Sequence, residues 1–306
     1  RDSEYPSDDI EAFVHSGARV FDQYKVKLLA SACRSPKYVG DVTADIPLET
    51  ITKRKEDPQA AFQKLRFVDD KQGSLDIWAM PEPDDGDEII TDRYIAVVDI
   101  GGRSYHADWS VIVVFDRLYM MEGGKPAVVA QWYGHIDMDL LAWKSAQIAA
   151  FYNNALLVIE SNTLETHDRE RMVDGDQSQF ILNQIKNVYP NLYARKQSEE
   201  DIREGAPRKY GFHTNVATKP VIISTLVKVI RESLYVERDE RCLDEFLTYE
   251  RKQNGAYGAI LGKHDDLLMT RAIGLHICFF EMDIPKIVKR RATTTRKKKA
   301  ISAATL

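Results

Sequence analysis

From residue 91 onward the hydrophobic positions of this chain fall into short unbroken runs separated by polar turns. Ile95 to Val98 is apolar at every position, the mark of a strand covered on both faces rather than one with an exposed side. Comparable runs predict strands near 93–100, 109–116, 127–133 and 155–160. Between the third and fourth, Leu141, Ile148 and Tyr152 recur with helical spacing and predict a helix over about 138–153, capped by Asp137 or Asp139. Further helices are expected at about 176–187 and 217–233, with a short fifth strand at 191–195 and a polar loop over 196–215. The last helix opens near Asp265, and its inward stripe runs through Leu268, Ala272, Leu275 and Phe279. Three strands followed by helix, strand, helix, strand and helices describe an α/β fold. Its sheet is mixed and five-stranded, flanked by helices, and its last two strands are separated by helices as parallel strands must be.

The first 90 residues lack this clarity. Ser7 is placed to cap a short helix with Ala12 and Phe13 inward, residues 50–65 are charged and read as helical, and Ser74 to Met80 alternates like a half-buried strand. Pro81-Glu82-Pro83-Asp84-Asp85-Gly86 breaks that strand and sets the expected boundary. The expected organisation is an N-terminal extension over 1–90, a catalytic domain over 91–285 and a basic, disordered tail over 286–306.

A length of 306 residues suffices for one large domain or two ordinary ones. Cys33, Cys242 and Cys278 are widely separated and form no CxxC pair, which argues for a reducing compartment and against a zinc site. No apolar run reaches membrane-spanning length, and the opening Arg1-Asp2-Ser3-Glu4 does not read as a signal peptide. A start at Arg1 reads as a fragment of something longer. The net charge of −5 hides an asymmetry, because Lys286 to Lys299 holds eight Lys/Arg and no acid. Elsewhere 34 basic residues face 47 acidic ones, a balance of −13. Such a body is a poor generic binder of nucleic acid. The tail residues Arg290, Arg291, Lys297 and Lys298 either hold DNA or form a solvated terminus.

Acids placed where buried elements surface change the picture. Asp99 ends the first apolar strand and is followed by Gly101-Gly102, Glu160 ends the fourth, and Asp265 opens the last helix on its inward stripe. Each alone reads as a cap or a surface ion pair; three in one domain point to a metal-ion catalyst, since buried charges are costly unless paired or bound to metal. Oxygen-only donors select Mg²⁺ or Mn²⁺, and two such ions about 4 Å apart hydrolyse phosphodiesters. Asp266 is expected to point a quarter-turn away from Asp265. Asp108 is either a fourth ligand or a turn cap, Asn162 either positions substrate or closes a turn, and Lys219 at a helix start either meets a phosphate or stays solvated. The chain contains no Gly-x-x-x-x-Gly-Lys-Ser/Thr phosphate loop and no Gly-x-Ser-x-Gly elbow.

These residues, taken in order, match a known pattern. Glu4-Tyr5-Pro6-Ser7 with Glu11-Ala12-Phe13, Asp99-Ile100-Gly101-Gly102 with Asp108-Trp109-Ser110, and Tyr152-Asn153-Asn154-Ala155 come first. Ile159-Glu160-Ser161-Asn162, Lys209-Tyr210-Gly211-Phe212 with Thr214-Asn215, and His264-Asp265-Asp266-Leu267 follow. In this order the chain resembles the carboxyl-terminal nuclease domain of tailed-phage terminase large subunits, in the RNase H-like superfamily. The resemblance implies an RNase H-like sheet and a metal-dependent endonuclease that cuts concematenated viral DNA at the start and end of packaging. It carries over Asp99, Glu160 and Asp265 as ligands of two Mg²⁺ or Mn²⁺ ions, with Asp108 and Asp266 as auxiliaries. It implies double-stranded DNA, a preceding ATPase domain, the small terminase subunit and the portal as partners, with no membrane. The implied place of action is the procapsid portal in the cytoplasm of an infected or lysogenic bacterium. The loop after Asp99 departs from the family's wider glycine loop, which bears on Asp108.

Two other readings compete. Asp99-Ile100-Gly101-Gly102 also looks like the first phosphate loop of actin-type ATPases and sugar kinases, but no downstream Gly-Gly adenosine motif accompanies it. A non-catalytic packaging or assembly module would keep the fold without needing acids at all three positions.

Overall fold

Unbroken apolar runs make the centre of the sheet, and helices close over both of its faces. The computed structural model describes residues 18–48, 50, 57–83, 87–101, 109–162 and 182–289. In chain order the strands are β1 (Ala18–Arg19), β2 (Tyr38–Thr43), β3 (Arg66–Asp69), β4 (Leu75–Ile77), β5 (Glu88–Thr91), β6 (Tyr94–Asp99) and β7 (Ser110–Asp116). They continue with β8 (Ala127–Gly134), β9 (Leu156–Asn162), β10 (Phe212–Thr214), β11 (Tyr249–Arg251), β12 (Tyr257–Ala259) and β13 (Lys286–Lys289). The α-helices are α1 (Gln23–Leu29), α2 (Met138–Phe151), α3 (Glu199–Arg203), α4 (Thr218–Arg231), α5 (Arg241–Leu247) and α6 (Asp266–Phe280).

The main sheet runs β10-β9-β6-β7-β8-β4-β2-β3. Strands β6, β7 and β8 pair antiparallel, whereas β9 and β10 lie parallel to β6 beyond its other edge. That five-strand order and sense is the expected RNase H-like core. Alternation along β6 sends Ile95 and Val97 to one face and Ala96 and Val98 to the other. The first face packs under α4 and α6 through Ile222, Leu226, Leu268, Ala272 and Leu275. The second packs under α2 through Leu141, Ala142, Ile148 and Ala149.

Helix α6 lies unusually close to the strands. A Cβ on Gly274 would stand 2.6 Å from Phe115 Cε2 and 3.0 Å from Val97 Cγ2, so only glycine permits this approach. The contact fixes where the amino end of α6 arrives over the sheet.

Several expectations are corrected. Among the described residues the sheet has eight strands rather than five, because β2, β3 and β4 extend it past β8. The fifth core strand is β10, not 191–195. Residues in that earlier segment make only isolated bridges, Leu157 with Leu192 and Ala194 with Tyr210. The chain joins β9 at Gly211, where φ is +82° and a Cβ would meet Ile159 O at 2.9 Å. The loop expected over 196–215 contains α3 and β10. Within 50–65 the described part is a 3₁₀ turn, Pro58–Phe62, begun by the Asp57 carboxylate accepting from Gln59 N–H at 3.0 Å. The basic tail starts later than expected, since Lys286–Lys289 forms β13 against β5, its Ile287 and Val288 opposite Ile90 and Ile89. The Ser7 helix lies outside the described residues. Among the described residues no helix is long and apolar enough to cross a membrane.

Candidate metal centre

Strand register brings the first two acids together. Val98 pairs with Ile159 across the parallel β6/β9 ladder, so the next positions, Asp99 and Glu160, stand side by side. Alternation puts both on the face of Val97 and Val158, beneath α6. Glu160 is buried. Asp99 beside it keeps some exposed surface. Burial pushes the Asp99 carboxyl well above the usual carboxylate range, and the charges of Glu160, Asp266 and Asp265 push it further.

The other two acids arrive on α6. Asp265 is the N-cap, with non-helical backbone at φ −130° and ψ 16°, and Asp266 is the first helical residue. Asp266, expected a quarter-turn from Asp265, is buried, its Oδ2 accepts from Trp109 N–H at 3.1 Å, and both acids act on Asp99. His264 Nδ1 lies 3.7 Å from Asp266 Oδ2.

Lys219 stands in the first turn of α4, whose start is fixed when Asn215 Oδ1 accepts from the N–H groups of Ala217 and Thr218 at 2.8 and 2.9 Å. Its Nζ lies 3.7 Å from Asp265 Oδ2, with both side chains about 30% exposed. Lys219 is therefore at the rim of the acidic group, as a phosphate contact would be. Asn162 ends β9 opposite Thr214, and its side chain lies outside the described set. Asp108, Arg290, Arg291, Lys297 and Lys298 also lie outside the described residues.

Three neighbours went unread in the sequence. Glu245 on α5 is buried and accepts from Leu268 N–H at 2.7 Å, holding the first turn of α6; burial drives its pKa up to about 8. An acid among Leu243, Phe246 and Leu247 was the available signal. Trp109 stacks on Tyr133 at 4.4 Å and 13°, the His135 ring lies 4.0 Å from that of Trp109, and Arg241 covers Tyr133 at 5.2 Å. This column braces the backbone that holds Asp266. Tyr249 lies under Lys219, its ring centroid 6.0 Å from Nζ.

Among the described residues no three His, Cys, Asp or Glu side chains close on a common point as a preformed metal site. The chemistry of the donors nonetheless fits a hard divalent cation. Asp99 and Glu160 stand side by side, and Asp265 and Asp266 add charge of the same sign that Lys219 offsets only in part. A divalent cation held among them would relieve the whole group.

No family model matches the chain, and no curated protein is significantly similar to it. Among solved structures it is similar to the large terminase nuclease from thermophilic phage G20c with bound magnesium. That likeness has 17% identity, covers 67% of this chain and 88% of that one, and has a TM-score of 0.43. It is also similar to the large terminase nuclease domain of Thermus phage P74-26, at 19% identity, 68% and 87% coverage and a TM-score of 0.41. The human cytomegalovirus terminase nuclease domain, manganese-soaked and inhibitor-bound, matches at 9% identity, 62% and 84% coverage and a TM-score of 0.37.

Proposed function

We propose that this chain is a metal-dependent DNA endonuclease of the large terminase type, cutting concatemeric viral DNA during genome packaging. The observation that carries the reading is the Asp99–Glu160 pair, buried side by side on parallel strands beneath a helix that begins with two more carboxylates. The ordered motifs from Glu4 to Leu267 support the terminase type within RNase H-like folds.

Asp99, Glu160, Asp265 and Asp266 would hold two Mg²⁺ or Mn²⁺ ions, with Asp108 as an auxiliary. When bound, such ions acidify a water and stabilise the leaving oxygen of a phosphodiester. The chain supplies the rest. Trp109 N–H holds the Asp266 carboxylate in place. Lys219 Nζ, at the rim beside Asp265, orients a phosphate oxygen of the incoming strand. Double-stranded DNA is the substrate, held further by Asn162 and the basic residues Arg290, Arg291, Lys297 and Lys298. In this reading an ATPase domain, a small terminase subunit and a portal deliver the DNA at the procapsid of an infected or lysogenic bacterium.

Supercoiled plasmid incubated with the chain and Mn²⁺ or Mg²⁺ tests this directly. Nicking and linearisation are expected only with metal, falling at least about 1,000-fold in Asp99→Ala and Asp265→Ala. Cleavage unchanged in both variants, or ATP turnover without cleavage, removes the nuclease reading.

A further inference from the structure

The hydroxyl of Tyr249 has no use in the protein alone. Tyr249 stands on β11 opposite Ala259, and its carbonyl accepts from Val20 N–H at 3.2 Å. Its ring fills the core beside Phe21, at 6.1 Å, and the residue is 0% exposed. A phenylalanine would pack there equally well. Among the described residues the phenol oxygen is buried without a hydrogen-bond partner, a costly state for a polar group. Buried orphan atoms on Arg117, Gln131 and Gln147 differ, because other atoms of those side chains are bonded. Tyr249 has a single polar group, and it is unmatched.

Its surroundings identify what is missing. The charged groups acting on the phenol are Asp265 and Glu160, from two sides of the candidate metal centre, and Lys219 lies over its ring. Lys219 Nζ, 6.0 Å from the ring centroid and 3.7 Å from Asp265 Oδ2, links the tyrosine to the rim of that centre. Burial, together with Asp265 and Glu160, pushes the phenol's titration upward, so it remains a donor at any working pH.

We propose that Tyr249 is a further functional residue of the site, donating its hydrogen bond to an oxygen bound at the centre when metal and DNA are present. That oxygen belongs either to a metal-held water or to the substrate phosphate. The inference rests on the nuclease reading of the same acids.

Tyr249→Phe removes only the hydroxyl. In the full chain without metal, its melting temperature should match or exceed that of wild type, since an unmatched buried group is lost. If the partner is a water, the Mn²⁺ concentration giving half-maximal thermal stabilisation rises about tenfold. If it is a phosphate oxygen, that midpoint holds while the Kd for a short duplex in Ca²⁺, measured by anisotropy, rises about tenfold. The cleavage kcat falls in either case. A variant equal to wild type in both binding measurements overturns the proposal, as does a fall of several degrees in the metal-free melting temperature, which would place the hydroxyl in an internal bond. Wild type that binds Mn²⁺ and duplex without cutting defeats the nuclease reading while the binding measurements still decide Tyr249. Wild type with neither Mn²⁺ stabilisation nor duplex affinity overturns both.

Discussion

Helix α6 carries buried charge at two places, and they are built in opposite ways. Five residues after Asp266, Arg271 is fully enclosed and meets Glu237 through two hydrogen bonds of 3.0 Å. Glu237 also accepts from the N–H groups of Arg238 and Asp239 and from the Tyr235 hydroxyl. Next to it, burial would raise Asp239, yet hydrogen bonds and charge from Arg241, with Arg271 and Gln131, hold its carboxyl below the usual range. At the amino end of the same helix the balance is reversed. Asp99 is pushed up by burial and then further by Glu160, Asp266 and Asp265, all of its own sign. One region holds its charges as a finished structural joint. The other gathers Glu160, Asp265 and Asp266 about Asp99 with Lys219 at their rim, and that deficit of positive charge is what makes it a site rather than a joint.

The widest separation between the two regions should come from breaking the joint. Arg271→Met strands Glu237 in the core, and urea unfolding should register a loss of about 3–5 kcal/mol. A loss under about 1 kcal/mol would mean that the pair is not the anchor of α6 and that the contrast drawn above fails. The opposite sign is expected at the other end. Asp99→Asn removes one of the clustered acids and lets its amide donate to Glu160, so metal-free stability near pH 8 should rise by about 1–2 kcal/mol. The same substitution should abolish stabilisation by Mn²⁺. If Asp99→Asn instead weakens the metal-free protein, the acids are already satisfied and the cation deficit is not real.

The two regions were unequally legible in the sequence. Asp99 and Glu160 stood out because an acid closing an unbroken apolar strand is conspicuous, and both faces of β6 are covered as that run implied. Asp265 and Asp266 stood out as a pair at the start of an apolar helix, one its cap and the other its first residue. Glu237, Asp239 and Arg271 gave no signal, since a matched pair far apart in the chain looks like two ordinary surface charges until the fold joins them. Glu245 and Tyr249 were hidden in another way: one reads as the polar side of a short helix, the other as a core aromatic. The sheet's outer strands were unequally plain: β4 lies within the alternating run of Ser74 to Met80, whereas β3 has four residues, too few for alternation to declare itself.

Glu245 lies between the two regions and offers the finest test of how far the deficit reaches. Burial raises its carboxyl to about 8; the Leu268 N–H opposes the shift and Asp266 adds to it. An ordinary glutamic acid in the unfolded chain ionises near 4.5, so between those values the folded protein holds a proton that the unfolded chain has released. Stability contributed by the protonated group is therefore full below pH 4.5 and is lost as pH rises toward 8, by at most about 1.4 kcal/mol per pH unit. Glu245→Gln keeps an acceptor for Leu268 N–H but has no proton to lose, so melting temperatures taken from pH 5 to 8 should flatten in the variant. The slope also reports on the metal centre. A divalent cation held by Asp265 and Asp266 favours the Glu245 carboxylate, so saturating Mn²⁺ should shrink the wild-type slope toward that of the glutamine variant. A slope indifferent to Mn²⁺ would detach Glu245 from the acidic corner and place it with the structural joint around Arg271.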